Sequence, residues 1–163
     1  MANEFVRVGL VGAGGNTRLR HAPGLREQSG VEIVSVANRS RESGERFAGE
    51  FEIPKVYDSW VDLINADDTD AICIGTWPYM HRTLTLAALE AGKHVLCEAR
   101  MAMNAKEAHD MLDASRLKPH LIAQIVPAPG TLDVDSTIQG LIADGYLGEI
   151  LAVKLRVSNT EGR

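Results

Sequence analysis

Two cysteines in 163 residues, Cys73 and Cys97, are too few and too far apart for a disulfide framework or a paired-cysteine metal site. Each lies inside an apolar run and reads as a buried, reduced thiol, which fits a reducing compartment. Long hydrophobic runs are missing too: no segment approaches the roughly 20 apolar residues that cross a bilayer. The opening Met1-Ala2-Asn3-Glu4-Phe5 carries an acid where a signal peptide carries basic residues. A cytoplasmic protein without a membrane partner is expected. Basic charge is scarce, with 17 Lys and Arg against 22 Asp and Glu and a formal charge of -5, so nucleic acid would be repelled overall and is not expected as a partner. The histidines at 21, 81, 94, 109 and 120 form no i, i+4 pair and sit in no acidic cluster, so no metal site is expected. With 45% hydrophobic and 24% charged residues, the composition excludes a collagen-like or disordered chain. A chain of this length buries a core without staples.

What the chain does have is alternation. Val6–Val11 is apolar at nearly every position, as in a strand covered on both faces, and it runs into Gly12-Ala13-Gly14-Gly15. A helix is expected from about Asn16, kinked or shortened by Pro23-Gly24. Val31–Ala37 reads as a second strand, Ser40 as the N-cap of a helix to about Glu50, and Lys55–Tyr57 as a short strand. Ser59 opens a helical turn or two carrying Trp60, Leu63 and Ile64. Beyond the polar loop Asp67–Asp70, Ala71–Ile74 reads as a buried strand, Leu84–Leu89 as helical up to Gly92, and His94–Cys97 as another strand. Asn104 with Glu107 is a capping-box variant for a helix with Ala108, Met111, Leu112 and Ser115 facing inward, and Leu121–Ile125 is a sixth strand.

Strands alternating with helices imply an α/β fold, a doubly wound parallel sheet with right-handed crossovers. Pro127-Ala128-Pro129-Gly130 reads as a stiff linker, so residues 1–126 are expected to form one domain and residues 127–163 to begin another. That second part holds a helix from Thr131 to about Asp144, stopped by Gly145, and then a strand. In the strand Leu151, Val153, Leu155 and Val157 alternate with Ala152, Lys154, Arg156 and Ser158, the period of one buried face. One strand cannot bury a face alone. Either another chain supplies the missing sheet, as in a homo-oligomer, or the natural chain continues past Arg163, which is the favoured reading.

Gly12 and Gly14 directly after a strand let the backbone turn tightly and let a diphosphate approach the amides at the following helix N-terminus. Position 17 is Thr where the G-x-G-x-x-G pattern has its third glycine, so the motif is imperfect, and a tight turn without ligand is the alternative. The flanking strand and helix favour dinucleotide binding through Gly12, Ala13, Gly14, Gly15 and Asn16. At the end of the second strand, where a carboxylate would select NAD, stands Asn38 followed by Arg39. Nothing there repels a 2′-phosphate and Arg39 offers it a planar guanidinium, so NADP is preferred over NAD; the alternative is a solvated Arg39.

The opening G-A-G-G with His21 downstream, the stretch D-A-I-C-I-G-T-W-P-Y-M-H, and the run A-L-E-A-G-K-H-V-L-C-E-A-R-M-A resemble the Gfo/Idh/MocA oxidoreductases, with a fainter match at L-I-A-D-G-Y-L-G-E-I. The resemblance implies an N-terminal Rossmann domain for NAD or NADP and a C-terminal α/β domain, of which this chain holds only the start. It places Gly75, Thr76 and Trp77 along the cofactor, with His81 and Glu98 beside them. Trp77 departs from the family's usual Thr-Pro and either stacks on a cofactor ring or covers the sheet edge. The family pattern Glu-Lys-Pro is here Glu98-Ala99-Arg100; Ala99 does no proton chemistry and Arg100 cannot serve as a base. No catalytic residue is therefore assigned. The implied activity is NAD(P)-dependent hydride transfer at a CH–OH group of a small-molecule substrate, a sugar, polyol, cyclitol or diol, with this chain as the nucleotide-binding part. The alternative is a noncatalytic dinucleotide-binding module, since the family lysine is missing at Ala99.

Overall fold

A parallel sheet buries both of its faces, so its strands are apolar on consecutive residues and its helices must lie on both sides. In the computed structural model, which describes residues 5–127 and 134–154, the first strand β1 (Val6–Val11) leads into a helical course and then to β2 (Val31–Ala37), α2 (Arg41–Glu50) and β3 (Lys55–Tyr57). The chain crosses back through α3 (Trp60–Ile64) to β4 (Ala71–Ile74), then runs through α4 (Pro78–Glu90), β5 (His94–Cys97), α5 (Ala105–Leu117) and β6 (Ala123–Ile125). The six strands are all parallel in the order β3-β2-β1-β4-β5-β6. The expected doubly wound sheet is thus observed. Its order reverses between β1 and β4, which opens a crevice at their C-terminal ends.

Period-two side-chain alternation divides the core into two layers. Ile72 and Ile74 of β4 point into the layer under α3, α4 and α5, with Leu63, Ile64, Leu84, Leu89 and Met111. Cys73 points the other way, with Val8, Leu10, Val36, Ala22 and Phe47. Burial pushes the thiols of Cys73 and Cys97 up to about 12, so both remain protonated and weakly nucleophilic.

The caps follow from the sequence. Ser40 accepts from the Ser43 amide at 3.3 Å, Ser59 from Asp62 at 3.1 Å, and Asn104 from Glu107 at 3.0 Å. The Glu107 carboxylate reaches back to the Met103 amide at 3.1 Å, one residue before the N-cap.

Several expectations need correction. At Pro23-Gly24, where a kinked or shortened helix was expected, the helix continues to Arg26 with its distortion in the turn before the proline. It passes through a π-helical turn, Thr17–His21, into α1 (Ala22–Arg26), with the Ala22 amide bonded to the Thr17 carbonyl. Proline 23 has no N–H to offer the preceding turn, and the widened turn absorbs that loss. Leu112 does not face inward: it is 39% exposed, while Met111 is buried and Ala114 packs at the edge of the core. The sixth strand is shorter than 121–125, with Ile122 66% exposed, because it lies at the edge of the sheet.

The chain divides into two compact units, 1–127 and 128–163. In the second, α6 (Asp135–Ala143) ends before Gly145, whose φ of 69° suits glycine, while residues 131–133 of the expected helix lie outside the described residues. The expected strand at 151–157 is not formed where it is described. Residues 151–154 have no regular structure, Leu151 and Val153 are exposed, and 155–157 lie outside the described residues. Alternation alone does not make a strand without a ladder to join.

At the opposite end of the sheet from the crevice, Asp70 pins three strands. Its carboxylate accepts from the Arg7 amide at 2.9 Å and from the guanidinium at 2.9 and 2.7 Å. Its own amide bonds the Arg7 carbonyl at 2.8 Å, and its carbonyl takes the His94 amide at 3.0 Å. These bonds from Arg7 hold its carboxyl down at about 2. A carboxylate with a depressed folded pKa stabilises the fold above its unfolded value and loses that contribution as pH falls through the folded one. Asp70→Ala is expected to cost about 1–2 kcal/mol at neutral pH, allowing for partial solvent screening. The gap in thermal midpoint from wild type should close between about pH 4 and pH 2; a gap independent of pH would refute the assignment.

Candidate functional site

The crevice is built on an approach of two backbones. Gly12 has φ +81°, a conformation that suits glycine, and a Cβ there would lie 2.5 Å from Thr76 Cγ2 and 2.9 Å from the Thr76 amide nitrogen. On the other side, a Cβ on Gly75 would strike the Thr17 hydroxyl and come within 2.8 Å of the Gly12 carbonyl. The Gly75 amide donates to the Val11 carbonyl at 2.9 Å and the Gly12 amide to the Ala37 carbonyl at 2.9 Å. The ends of β1, β2 and β4 are therefore fixed against one another.

Gly14 differs from these two. A Cβ there would meet nothing within 4 Å, and its φ lies outside the left-handed range. Helical bonding begins with the Arg18 amide on the Gly14 carbonyl at 3.0 Å, so the amides just before Arg18 have no acceptor within the helix. They carry the partial positive charge of a helix N-terminus.

A cleft of about 670 Å³ lies over this turn. Gly12, Ala13 and Gly14 line it from β1, Asn38, Arg39, Ser40, Ser43 and Arg46 from the end of β2 and the start of α2, and Gly75, Thr76, Trp77, Tyr79 and Met80 from the end of β4 and the start of α4. Asp58 and Trp60 complete it from the β3 side. The Asn38 carboxamide oxygen accepts from the Ala13 amide at 2.7 Å, which ties the glycine turn to β2. The Asp58 carboxylate takes Arg41 at 2.8 Å, which offsets its charge. Among the described residues Arg39 has no carboxylate partner. Arg46 pairs with Glu42 at 2.9 Å, an exposed i, i+4 contact that is easily given up.

Two polar clamps hold the neighbouring loops. Glu98, at the end of β5, accepts from His21 Nε2 at 2.7 Å, from the Asn16 carboxamide, and from the Ala99 amide at 2.7 Å. In a π-helical turn residues five apart stack on one face, so the turn that accommodates Pro23 also aims Asn16 and His21 together at Glu98. His81 is fully buried, with Nδ1 2.8 Å from the Arg100 carbonyl and Nε2 2.9 Å from the Thr76 carbonyl. It joins the loop after β4 to the loop after β5.

Of the residues singled out from the sequence, Gly12, Ala13, Gly14, Asn38, Arg39, Gly75, Thr76 and Trp77 line the cleft. Gly15 does not line it, and Asn16 and Glu98 bind each other while His81 lies beneath, holding carbonyls. Sequence reasoning missed Ser43, Arg46, Asp58, Trp60 and Tyr79. Ser43 and Arg46 were findable, since they stand three apart on a helix capped by Ser40 and so share one face. Ala99 and Arg100, where the family lysine was sought, are both exposed.

Comparisons with known proteins agree on one family. The model described as "Oxidoreductase family, NAD-binding Rossmann fold" (Gfo/Idh/MocA) matches residues 6–124. A 1,5-anhydro-D-fructose reductase of Ensifer adhaerens is 40% identical over 110 residues, 68% of this chain and 33% of that protein. A trans-1,2-dihydrobenzene-1,2-diol dehydrogenase of Bos taurus is 31% identical over 150 residues, 92% of this chain and 43% of that protein. Among solved structures, a biliverdin reductase from Synechocystis sp. PCC 6803, in complex with biliverdin and NADP+, superposes with a TM-score of 0.68 at 31% identity, over 74% of this chain and 37% of that one. A myo-inositol 2-dehydrogenase from Lactobacillus plantarum, at TM-score 0.76 and 24% identity over 90% of this chain and 43% of that one, shares the fold. The chain thus spans between a third and under half the length of these curated relatives.

The glycines separate what the fold needs from what a ligand would need. Gly75→Ala is expected to destabilise the chain by about 1–3 kcal/mol, read as a lower midpoint in urea, because the new methyl meets backbone. Gly14→Ala should stay within about 0.5 kcal/mol of wild type. Equal effects from the two would contradict this geometry.

Proposed function

The chain belongs to the Gfo/Idh/MocA oxidoreductase family, and from that premise we propose that it is the nucleotide-binding part of an NADP-dependent dehydrogenase or reductase. The observation that carries the reading is the cleft at the β1/β4 switch point, where Gly14 leaves room that no described residue fills and a helix N-terminus, the end that favours anionic phosphates, begins at that same lining residue. Gly12, Ala13, Gly14 and Gly15 would receive the diphosphate, with Asn38 buttressing the turn through Ala13. Asn16 and Glu98 would brace the turn from the β5 side, and His81 would hold Thr76 and Trp77 in place from below.

NADP is favoured over NAD by charge. The cleft has no uncompensated carboxylate at the end of β2, since Asp58 is paired with Arg41. Among the described residues Arg39 has no carboxylate partner, and Ser40, Ser43 and Arg46 line the cleft with it. A 2′-phosphate would find one guanidinium ready and a second weakly held.

When bound, the nicotinamide supplies the hydride chemistry. This chain's residues bind and orient it; none of the residues at 98–100 is placed to take a proton from substrate, as Glu98 is already bonded to three donors, Ala99 has no titratable group and Arg100 stays charged. We read residues 127–163 as linker, helix and the beginning of a substrate domain. The substrate class is a CH–OH group of a sugar, polyol, cyclitol or diol, in line with what the relatives are named for. Cytoplasmic residence accords with the two buried free thiols, and a homo-oligomer accords with the apolar side chains at 151 and 153. A second reading, a noncatalytic dinucleotide-binding module, is favoured by one observation, the exposed Ala99 in the lysine position.

Both tryptophans of the chain line the cleft, so intrinsic fluorescence reports on it directly. Titration with NADPH and NADH, with stoichiometry from calorimetry, is expected to show saturable quenching by both. NADPH should bind at least tenfold tighter, a difference of about 1.4 kcal/mol. Arg39→Ala should erase most of that preference, and Gly14→Val should weaken both cofactors while leaving the fold intact. No binding of either at millimolar concentration would leave only the fold and remove the function.

A further inference from the structure

Trp77 is 75% exposed and Tyr79 is 62% exposed, and both line the cleft. Exposed apolar side chains are common, so exposure alone says little. What sets Trp77 apart is the rigidity of its backbone. Thr76, just before it, packs against Gly12 so closely that a methyl group would not fit between them, and its carbonyl is held by buried His81 at 2.9 Å. Pro78, just after it, occupies the first position of α4, and the Trp77 carbonyl accepts from the Met80 amide at 3.0 Å. The chain holds a large planar side chain at the lining of a cleft, and the described residues leave it three-quarters exposed.

The cleft also has a direction. It draws residues from the ends of β1, β2, β3 and β4 and none from the segment after β5. In a sheet of this order a dinucleotide laid across the switch point puts one nucleoside over β2 and β3 and the other toward β5. The wall facing the β4 loop carries Arg39, Ser40, Ser43 and Arg46, the groups suited to a phosphorylated ribose. The nucleoside beside that ribose is the one within reach of the aromatic wall.

Resting on the cofactor reading above, we infer that Trp77 stacks on the adenine ring of the dinucleotide and is a specificity-determining residue for the adenosine half, with Trp60 at the β3 side of the same slot. A purine offers a large π-face to an indole, and because the Trp77 backbone is already fixed only the two side-chain torsions remain to be ordered on binding. The site then grips adenosine 2′,5′-bisphosphate on its own, whereas nicotinamide mononucleotide gains nothing from Trp77.

The test uses the whole 163-residue chain, with Trp60→Phe to leave Trp77 as the sole reporter and Trp77→Phe to leave Trp60. Adenosine 2′,5′-bisphosphate is expected to quench Trp77 saturably, and nicotinamide mononucleotide to leave it unchanged at the same concentration. Calorimetry should show Trp77→Ala weakening the bisphosphate about tenfold, with Trp77→Phe within about threefold of wild type, as stacking on a smaller ring requires. Because Trp77 is exposed, circular dichroism and the thermal midpoint of Trp77→Ala should match wild type. Wild-type affinity in Trp77→Ala, or quenching of Trp77 by the mononucleotide instead, overturns the inference while leaving cofactor binding in place. Failure of NADPH itself to bind the wild-type chain overturns both.

Discussion

The close approach of β1 and β4 at Gly12 and Gly75 governs the geometry of everything above it. Two residues without side chains allow the carbonyl of Gly12, the hydroxyl of Thr17 and the backbone of Thr76 to share a space that any Cβ would fill. Because the turn closes there, the helix that follows starts at Gly14, itself a residue of the crevice wall. A looser turn would move the helix away and leave a sheet edge with no cradle. The requirement is steric and belongs to the chain itself, which separates it from Gly14, whose free space has no internal use.

Polar bonds of long sequence separation then hold the loops around that turn. Glu98 is 82 residues from Asn16 and 77 from His21, and its carboxylate takes both. His81 spans two carbonyls from the interior. The two ring nitrogens lie within hydrogen-bond distance of one carbonyl each, so the ring bridges both loops and makes them part of one packed unit. Such bonds add little net stability compared with the two apolar layers, but they leave each loop one arrangement instead of several. A cleft that is preorganised in this way spends less of its binding free energy on ordering itself.

Much of the fold was legible because its signals are local. Val6–Val11 apart from Arg7, Ala71–Ile74, and residues 95–97 are apolar on consecutive residues, and Ser40, Ser59 and Asn104 cap with their own side chains. The glycine turn and the Asn38-Arg39 pair could be located from their place after a strand. What resisted reading depends on partners far away or on absence of a partner. The π-helical turn at Thr17–His21 arises from a missing N–H at Pro23 together with a carboxylate on another strand. Leu112 sits at helical spacing from Ala108 and Ser115, yet that side of α5 lies near the sheet edge where β6 is too short to cover it. Asn16, His81 and Glu98 were legible as members of the site region but not as clamps, because nothing in the sequence tells a residue that lines a cleft from one that supports it. The alternation at 151–157 is a real pattern whose meaning requires a ladder, and within 151–154 the described chain offers none.

The distribution of the cleft along the chain bears on how binding and chemistry are divided. All of its lining residues fall between Val11 and Leu84, in the first four strands, the segments between them, and the loop and helix α4 that follow β4. Within the first unit, the fifth and sixth strands contribute nothing to it. The registers β2–β1–β4 and the steric lock at Gly12 and Gly75 are complete inside that stretch, while Glu98 and the Arg100 carbonyl brace its loops from the segment after β5. The loop after β5, by contrast, is held in place by Glu98 and His81 while presenting exposed Ala99 and Arg100. It is therefore a positioned surface whose function depends on what packs over it. The cleft and the loop after β5 are thus separate parts of the fold, and a substitution at the exposed position 99 alters the second without touching the lining of the first.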